Sequence, residues 1–139
     1  MAYSLNQKGY RKAKQLINNG KISTQSWSKP NLSDFENIEE YASYHLAYNP
    51  EGDKNVASTY HYPFGKNGLI YKNAVANIKS RAKSNNETKI YDAASKLFEA
   101  IQKEMEKQEN QYFIHTIFRY DRVFKRNKKK IPGISYMGE

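Results

Sequence analysis

The amino-terminal stretch has the hydrophobic spacing of an amphipathic helix. Apolar side chains form a thin stripe at Leu5, Tyr10, Ala13, Leu16 and Ile17, with steps of three to four residues from Tyr10 onward. This stripe predicts a first helix over about residues 5–19. The tripeptide Asn18-Asn19-Gly20 is typical of a helix end, because glycine readily adopts the left-handed conformation that closes a helix.

A second helix is predicted to begin near residue 33. Ser33 and Glu36 have the spacing of a capping box, in which each side chain bonds to the backbone amide of the other residue. Residues with apolar faces then recur at helical spacing, at Phe35, Ile38, Ala42, His45 and Leu46. The pattern predicts a helix that ends near Tyr48, before a turn over residues 50–53.

Two more helices are predicted after a turn over residues 62–68, which contains a proline and two glycines. Periodic apolar residues predict a third helix over about residues 71–84 and a fourth over about residues 87–108. Residues 111–124 fit both helical spacing and strand alternation, so this aromatic segment is a helix or a strand, with helix preferred. The elements together predict a mainly α fold, a small single-domain bundle of four to five short helices with Pro/Gly-rich loops.

Composition narrows the class of protein. The chain has 139 residues, 38% of them hydrophobic and 14% aromatic, which is typical of one folded domain and excludes a disordered chain. It has no cysteine, so disulfides and thiol chemistry are excluded. The chain has neither an apolar run of about 20 residues nor a signal-like amino end, so we expect a soluble, intracellular protein without a membrane partner.

The net charge of +9 is concentrated at the two ends. Residues 1–21 contain five Lys or Arg and no acid, residues 22–110 contain 11 bases and 12 acids, and residues 111–130 contain seven bases and Asp121. We therefore divide the chain into a basic amphipathic helix (1–21), a helical core domain (22–110) and a basic aromatic extension (111–139).

Basic ends of this kind predict binding to nucleic acid without sequence preference, or to an acidic protein surface. The alternative is a solvated charge excess that only keeps the protein soluble. The candidate contact residues are Lys8, Arg11, Lys12, Lys14, Arg119, Arg122, Lys125, Arg126, Lys128, Lys129 and Lys130.

The sequence contains no recognisable catalytic or metal-binding pattern. The histidines, His45, His61 and His115, have no partner at ligand spacing, and His45 is expected to be a hydrogen-bonded core residue. No phosphate-binding glycine loop is present. We therefore expect no catalytic residue, no metal and no cofactor. Trp27 lies in a polar connector and is expected to pack back onto the core.

One set of motifs resembles a small domain of unknown function found in tailed phages and prophages, near head-morphogenesis genes. The resemblance covers about residues 14–108. The matching positions are Lys14-Gln15-Leu16-Ile17, Gly20-Lys21, Trp27, His45-Leu46, Tyr62-Pro63-Phe64-Gly65-Lys66, Tyr71, Ala74 and Arg81. It implies a viral context but assigns no activity and no functional residue.

The sequence therefore predicts a non-enzymatic accessory protein of the phage virion or head, located in the host cytoplasm or the virion. Its basic ends would bind nucleic acid or an acidic protein surface. Viral capsid proteins are among the possible partners of the second kind. The alternative is a phage-encoded inhibitor of a host defence complex, of the anti-CRISPR type, that acts by binding protein or ribonucleoprotein. The oligomeric state stays open.

Overall fold

The computed structural model describes residues 3–126, and side chains over residues 3–109. This range contains four α-helices and two three-stranded sheets, so the fold is α+β. The prediction of a mainly α bundle of four to five short helices is wrong. The described residues divide into two compact units between Glu104 and Met105, and both sheets belong to the first unit.

The elements have the following bounds. The strands are β1 (Ser4–Leu5), β2 (Ile22–Ser23), β3 (His45–Tyr48), β4 (Tyr60–Pro63), β5 (Gly65–Lys66) and β6 (Leu69–Tyr71). The helices are α1 (Gln7–Asn18), α2 (Ile38–Ser43), α3 (Lys72–Ser84) and α4 (Thr88–Arg126), with short 3-10 turns at Leu32–Asp34 and Ala57–Thr59.

The first sheet has the order β1-β3-β4 and is antiparallel throughout. Ala47 of β3 lies opposite Leu5 of β1 on one side and opposite His61 of β4 on the other. The central strand β3 is accordingly buried at three of its four residues. This sheet places His61 on an edge strand, where its side chain borders the site described below.

The second sheet has the order β2-β6-β5, with β2 parallel and β5 antiparallel to β6. Asn67 and Gly68 join β5 to β6, and their φ angles of 55° and 74° are those of a type I′ hairpin turn. Gly65 is required on β5, because a Cβ there would lie 2.1 Å from the carbonyl oxygen of Leu69. The predicted turn over residues 62–68 thus contains strand residues as well.

The helix α1 confirms the first predicted helix, although Leu5 belongs to β1. It ends in a Schellman motif, in which Gly20 has a φ of 70° and the amide of Lys21 donates to the carbonyl of Leu16 at 2.8 Å. Gly9 lets α1 approach β3 closely, because a Cβ at this position would lie 1.9 Å from the carbonyl oxygen of His45.

The predicted second helix is wrong over most of its length. Residues 45–48 form the central strand β3, so only the six residues of α2 are α-helical between residues 33 and 48. The physical reason is pairing over long sequence distances. The backbone groups of β3 bond to β1 and β4 on both sides, and these contacts override the local helical spacing of Ala42, His45 and Leu46.

The predicted capping box at Ser33 and Glu36 is also wrong. Instead, the amide of Asn31 donates to Asp34 Oδ2 at 2.8 Å, and the amide of Asp34 donates to the backbone carbonyl of Asn31 at 3.0 Å, around the first 3-10 turn. The helix α2 is capped separately by Asn37, whose side chain accepts from the backbone amide of Glu40 at 2.8 Å.

The third and fourth predicted helices are confirmed as α3 and the beginning of α4. Asn86 has a φ of 57°, and the amide of Glu87 donates to the carbonyl of Ala82 at 2.9 Å, which closes α3 in a second Schellman motif. The backbone of α4 continues without a break to Arg126, so residues 111–124 are helical and not a strand.

The core of the first unit lies where α1, α3 and the first half of α4 meet the two sheets. Its largest fully buried apolar side chains are Ile17, Leu46, Phe64, Ile70, Val75, Ile90, Leu97 and Ile101. Among the residues that the structure describes, none of the helices is long and apolar enough to cross a bilayer.

Candidate nucleic-acid interface

The helix α1 is anchored by backbone contacts that leave its outer face free for charged side chains. The Asn6 side chain, just before the helix, donates to the carbonyls of Ala42 at 3.0 Å and His45 at 2.9 Å. Gly9, Ala13, Leu16 and Ile17 are buried on the inner face. The opposite face therefore points to solvent.

That outer face is basic. Lys8, Arg11 and Lys14 are exposed, and α1 has no acidic residue. Lys12 is partly buried, with its Nζ 4.6 Å from the centre of the Tyr44 ring. Lys8 lies in the first turn of α1, where the helix dipole disfavours a cation, so the helix gains nothing from this charge. Arg11 lies in the second turn.

The second predicted basic site lies beyond the part of the chain whose side chains are described. Arg119, Arg122, Lys125 and Arg126 fall on the helical backbone of α4, but the described side chains end at residue 109. Lys128, Lys129 and Lys130 lie outside the described residues altogether. The structure thus describes the side chains of one of the two predicted basic ends, the one on α1.

A groove that the sequence did not indicate lies between β4, α3 and the connector after β2. It has a volume of about 690 Å³. We call it the α3 groove, and its polar and aromatic lining residues are Tyr3, Trp27, Lys29, His61, Tyr62, Asn77, Ser80, Arg81 and Asn85. Lys29 and Arg81 are exposed, and no acidic residue lines the groove. Its lining is therefore cationic.

Aromatic rings form one side of the α3 groove. The rings of Tyr3 and His61 are stacked, with centroids 3.9 Å apart and planes 11° apart, and Tyr62 meets Tyr3 edge-on at 6.2 Å. Trp27 is partly exposed and leans against Tyr71 at 5.0 Å. The expectation that Trp27 packs back onto the core is therefore met through Tyr71, while part of its ring borders the groove.

Tyr62, on this side of the groove, has an unusual backbone conformation. Its φ of 59° is left-handed, which is rare and strained for a bulky residue. The Tyr62 hydroxyl donates to Glu87 Oε1 at 2.5 Å and accepts from Asn85 Nδ2 at 3.0 Å. Burial and the hydrogen bond to Glu87 raise the pKa of Tyr62. These contacts tie β4 to the α3–α4 turn and compensate for the strain.

Burial and nearby charge determine the protonation state of His61 in the groove. Loss of solvent lowers the pKa of His61, the positive charge of Lys29 lowers it further, and Glu87 opposes both. His61 is therefore neutral at pH 7 and presents an aromatic face. The positive charge of the groove comes from Lys29 and Arg81.

His45 is a core residue, as expected, although on a strand and not a helix. It is fully buried, and its Nδ1 lies 2.6 Å from the carbonyl oxygen of Tyr41. Because a carbonyl only accepts, Nδ1 carries the proton, and the buried Nε2 has no partner. Burial lowers the pKa of His45 to about 4. Its role is structural.

A second cleft, of about 510 Å³, lies beside the amino-terminal half of α1. Lys8 and Arg11 line it together with Glu39 and Lys54. The presence of Glu39 among its lining residues distinguishes it from the α3 groove, whose charged lining residues are cations alone. We assign no ligand to it.

The α3 groove was missed because its charges are hidden in the sequence average. Residues 22–110 are nearly neutral, but α3 has four bases and no acid: Lys72, Lys79, Arg81 and Lys83. Counting charge by predicted helix would have shown this basic element. The approach of Trp27, His61 and Arg81 depends on the tertiary fold, and no local signal reports it.

Over residues 3–109, no group of three or more His, Asp or Glu side chains is arranged to hold a metal ion. None of the protein-family models, curated proteins or solved structures compared with the chain matches it. The resemblance to a phage domain therefore stays a prediction.

Proposed function

We propose that this protein is a non-enzymatic accessory protein of the phage type, associated with the virion or head, that binds nucleic acid through its basic ends. The phage context rests on the sequence resemblance over residues 14–108. The binding role rests on one structural observation. The outer face of α1 is purely cationic and polar, although the first turn of a helix disfavours positive charge.

The side chains on this face are those that contact phosphate groups. Lys8, Arg11 and Lys14 supply charge, and Gln7, Gln15 and Asn18, all exposed, supply amide donors between them. Long cationic side chains on a single helix face match a row of phosphates without reading bases. The expected binding is therefore insensitive to sequence and strongly dependent on salt.

The test is a salt titration of binding to labelled duplex and single-stranded DNA and RNA, followed by fluorescence anisotropy. Replacement of Lys8, Arg11 and Lys14 by Gln should weaken binding to all sequences alike and reduce the slope of log K against log[salt] by about 2–3. The matched control replaces Lys89, Lys96 and Lys103 of α4, which are equally exposed but are interspersed with acids.

Four results would contradict the proposal. They are absence of binding to any nucleic acid, binding that survives high salt, strong discrimination between sequences, and an equal effect of the two triple replacements. If no nucleic acid binds at all, an acidic protein surface becomes the expected partner. A nuclease-resistant complex with a host protein in a pull-down would instead favour the inhibitor alternative.

A further inference from the structure

The α3 groove combines the two groups that recognise an unpaired nucleotide, namely cations and aromatic rings, of which those of Tyr3, Trp27 and His61 are partly exposed. We propose that this groove binds one nucleotide of a single-stranded nucleic acid, with the base against the aromatic side and the phosphate at Lys29 and Arg81. The inference deepens the proposed function and rests on it. Its volume of about 690 Å³ lies within the range of about 300–1,000 Å³ that is usual for small-ligand sites.

The phosphate side is built from donors in a row along α3. Asn77 and Arg81 lie four residues apart on one stripe of α3, and both line the groove. Asn85 follows the helix as its C-cap and also lines the groove, but its side-chain amide donates to the Tyr62 hydroxyl. Lys29 adds a second cation from the connector. Arg81 also lies in the last turn of α3, where a cation stabilises the helix. The helix dipole therefore accounts for the presence of Arg81, but it does not explain why Lys29 lines the same groove.

The base side is built from rings whose positions are fixed before any ligand arrives. His61 is stacked on Tyr3, and Tyr62 is held by its hydrogen bonds to Glu87 and Asn85. Trp27 is braced by Tyr71 and by Lys66, whose Nζ lies 5.5 Å from the Trp27 ring centre and donates to the Ser28 carbonyl at 3.1 Å. Rigid aromatic surfaces suit base stacking, because little freedom is lost on binding.

The same chemistry would accept a nucleoside phosphate that is free or part of a strand. A strand is favoured because the proposed function already has this protein bind nucleic acid through its basic residues. Paired bases in a duplex are already stacked on each other and do not offer a face to the groove. A single strand should therefore bind more tightly than the corresponding duplex.

Trp27 makes the groove directly observable, because it is the only tryptophan of the chain. Short oligothymidine strands should quench its fluorescence over the same concentration range in which anisotropy of the labelled strand reports binding. Thymidine 5′-monophosphate should quench it only at much higher concentration. The duplex formed with oligoadenosine should bind by anisotropy with weaker quenching.

Charge replacements separate the groove from general electrostatics. Arg81→Gln and Lys29→Gln should each weaken the quenching by oligothymidine at least about tenfold, because each removes a charged partner of the phosphate. Lys83→Gln is the matched control, since Lys83 is exposed on the same helix, loses the same charge and does not line the groove. It should change the affinity only slightly.

The outcomes distinguish the two proposals. Binding by anisotropy without quenching of Trp27, or equal effects of Arg81→Gln and Lys83→Gln, would overturn the groove assignment and leave the proposed function standing. Absence of binding by anisotropy to any strand would overturn both. Thymidine 5′-monophosphate that binds as tightly as the strand would overturn the single-strand source and leave a site for a free nucleotide.

Discussion

His45 illustrates how a single buried residue makes the stability of the fold depend on pH. Its Nδ1 donates to the carbonyl of Tyr41, its Nε2 has no partner, and the rings of Tyr41 and Tyr60 lie 4.3 Å and 6.2 Å from the imidazole. Protonation would place an unpaired N–H and a charge in the core. The neutral form is therefore strongly preferred in the folded state.

We expect the free energy of unfolding to fall as the pH falls from 6.5 towards 4. The ordinary pKa of histidine is 6.5, and the pKa of buried His45 is about 4, so only the unfolded chain takes up a proton in this window. The loss reaches about 3 kcal/mol at the acid end. Urea unfolding of the whole protein at several pH values measures it.

The control for this prediction is His45→Asn, whose side-chain amide can still donate to the Tyr41 carbonyl but does not titrate. The variant is expected to be less stable at pH 7 and to lose less stability on acidification. His61, whose pKa is also lowered, contributes in the same direction in both proteins. Parallel pH profiles of the two proteins would show that His45 does not control the acid sensitivity.

At the scale of elements, the contact between α1 and β3 predicts an unusual response to a glycine replacement. Glycine in a helix normally costs about 1 kcal/mol relative to alanine, so Gly→Ala usually stabilises a helix. At Gly9 the added Cβ would lie 1.9 Å from the His45 carbonyl oxygen, and backbone cannot move aside cheaply. We expect Gly9→Ala to destabilise the fold by about 1–3 kcal/mol.

Thermal or urea unfolding checks the sign of this effect. Asn18→Ala is the control, because Asn18 is exposed on the same helix and alanine should stabilise it slightly. If Gly9→Ala stabilised the protein as much as Asn18→Ala does, the close packing of α1 on β3 would be wrong.

The elements that the sequence predicted correctly are those with local signals. Regular apolar spacing and a helix-ending residue, at Gly20 for α1 and at residues 85–86 for α3, were sufficient to predict these two helices. The strands were missed because they are two to four residues long and are stabilised by partners far away in sequence, such as β1 for β3. One local signal was available, the Asn67-Gly68 dipeptide, which is typical of a hairpin turn.

The same difference applies to the candidate sites. The basic face of α1 follows from helical spacing and charge alone, so the sequence was enough to predict it. The α3 groove combines Trp27, His61 and Arg81, which no spacing rule relates. Its recognition also required the left-handed backbone of Tyr62, which an isolated aromatic residue gives no reason to expect.

At the scale of the whole molecule, the net charge of +9 implies that long-range attraction to polyanions acts on both basic ends. If both ends contact phosphates of the same nucleic acid, each releases its own counterions. The salt dependence of binding is then the sum of the contributions of the two ends. This consequence holds for any arrangement of the ends in the complex.

A double replacement tests whether the two ends act together. One triple variant replaces Lys8, Arg11 and Lys14 by Gln, and the other replaces Arg122, Lys125 and Arg126 by Gln. Each should reduce the slope of log K against log[salt] by about 2–3, and the variant with all six replacements should show the sum of the two reductions. Anisotropy titrations with one long single strand at several salt concentrations measure the slopes. If the slope of the variant with all six replacements falls no further than that of one triple variant, only one end contacts the nucleic acid. Because counterion release depends on the number of neutralised phosphates and not on their sequence, the result should be the same for DNA strands of different composition.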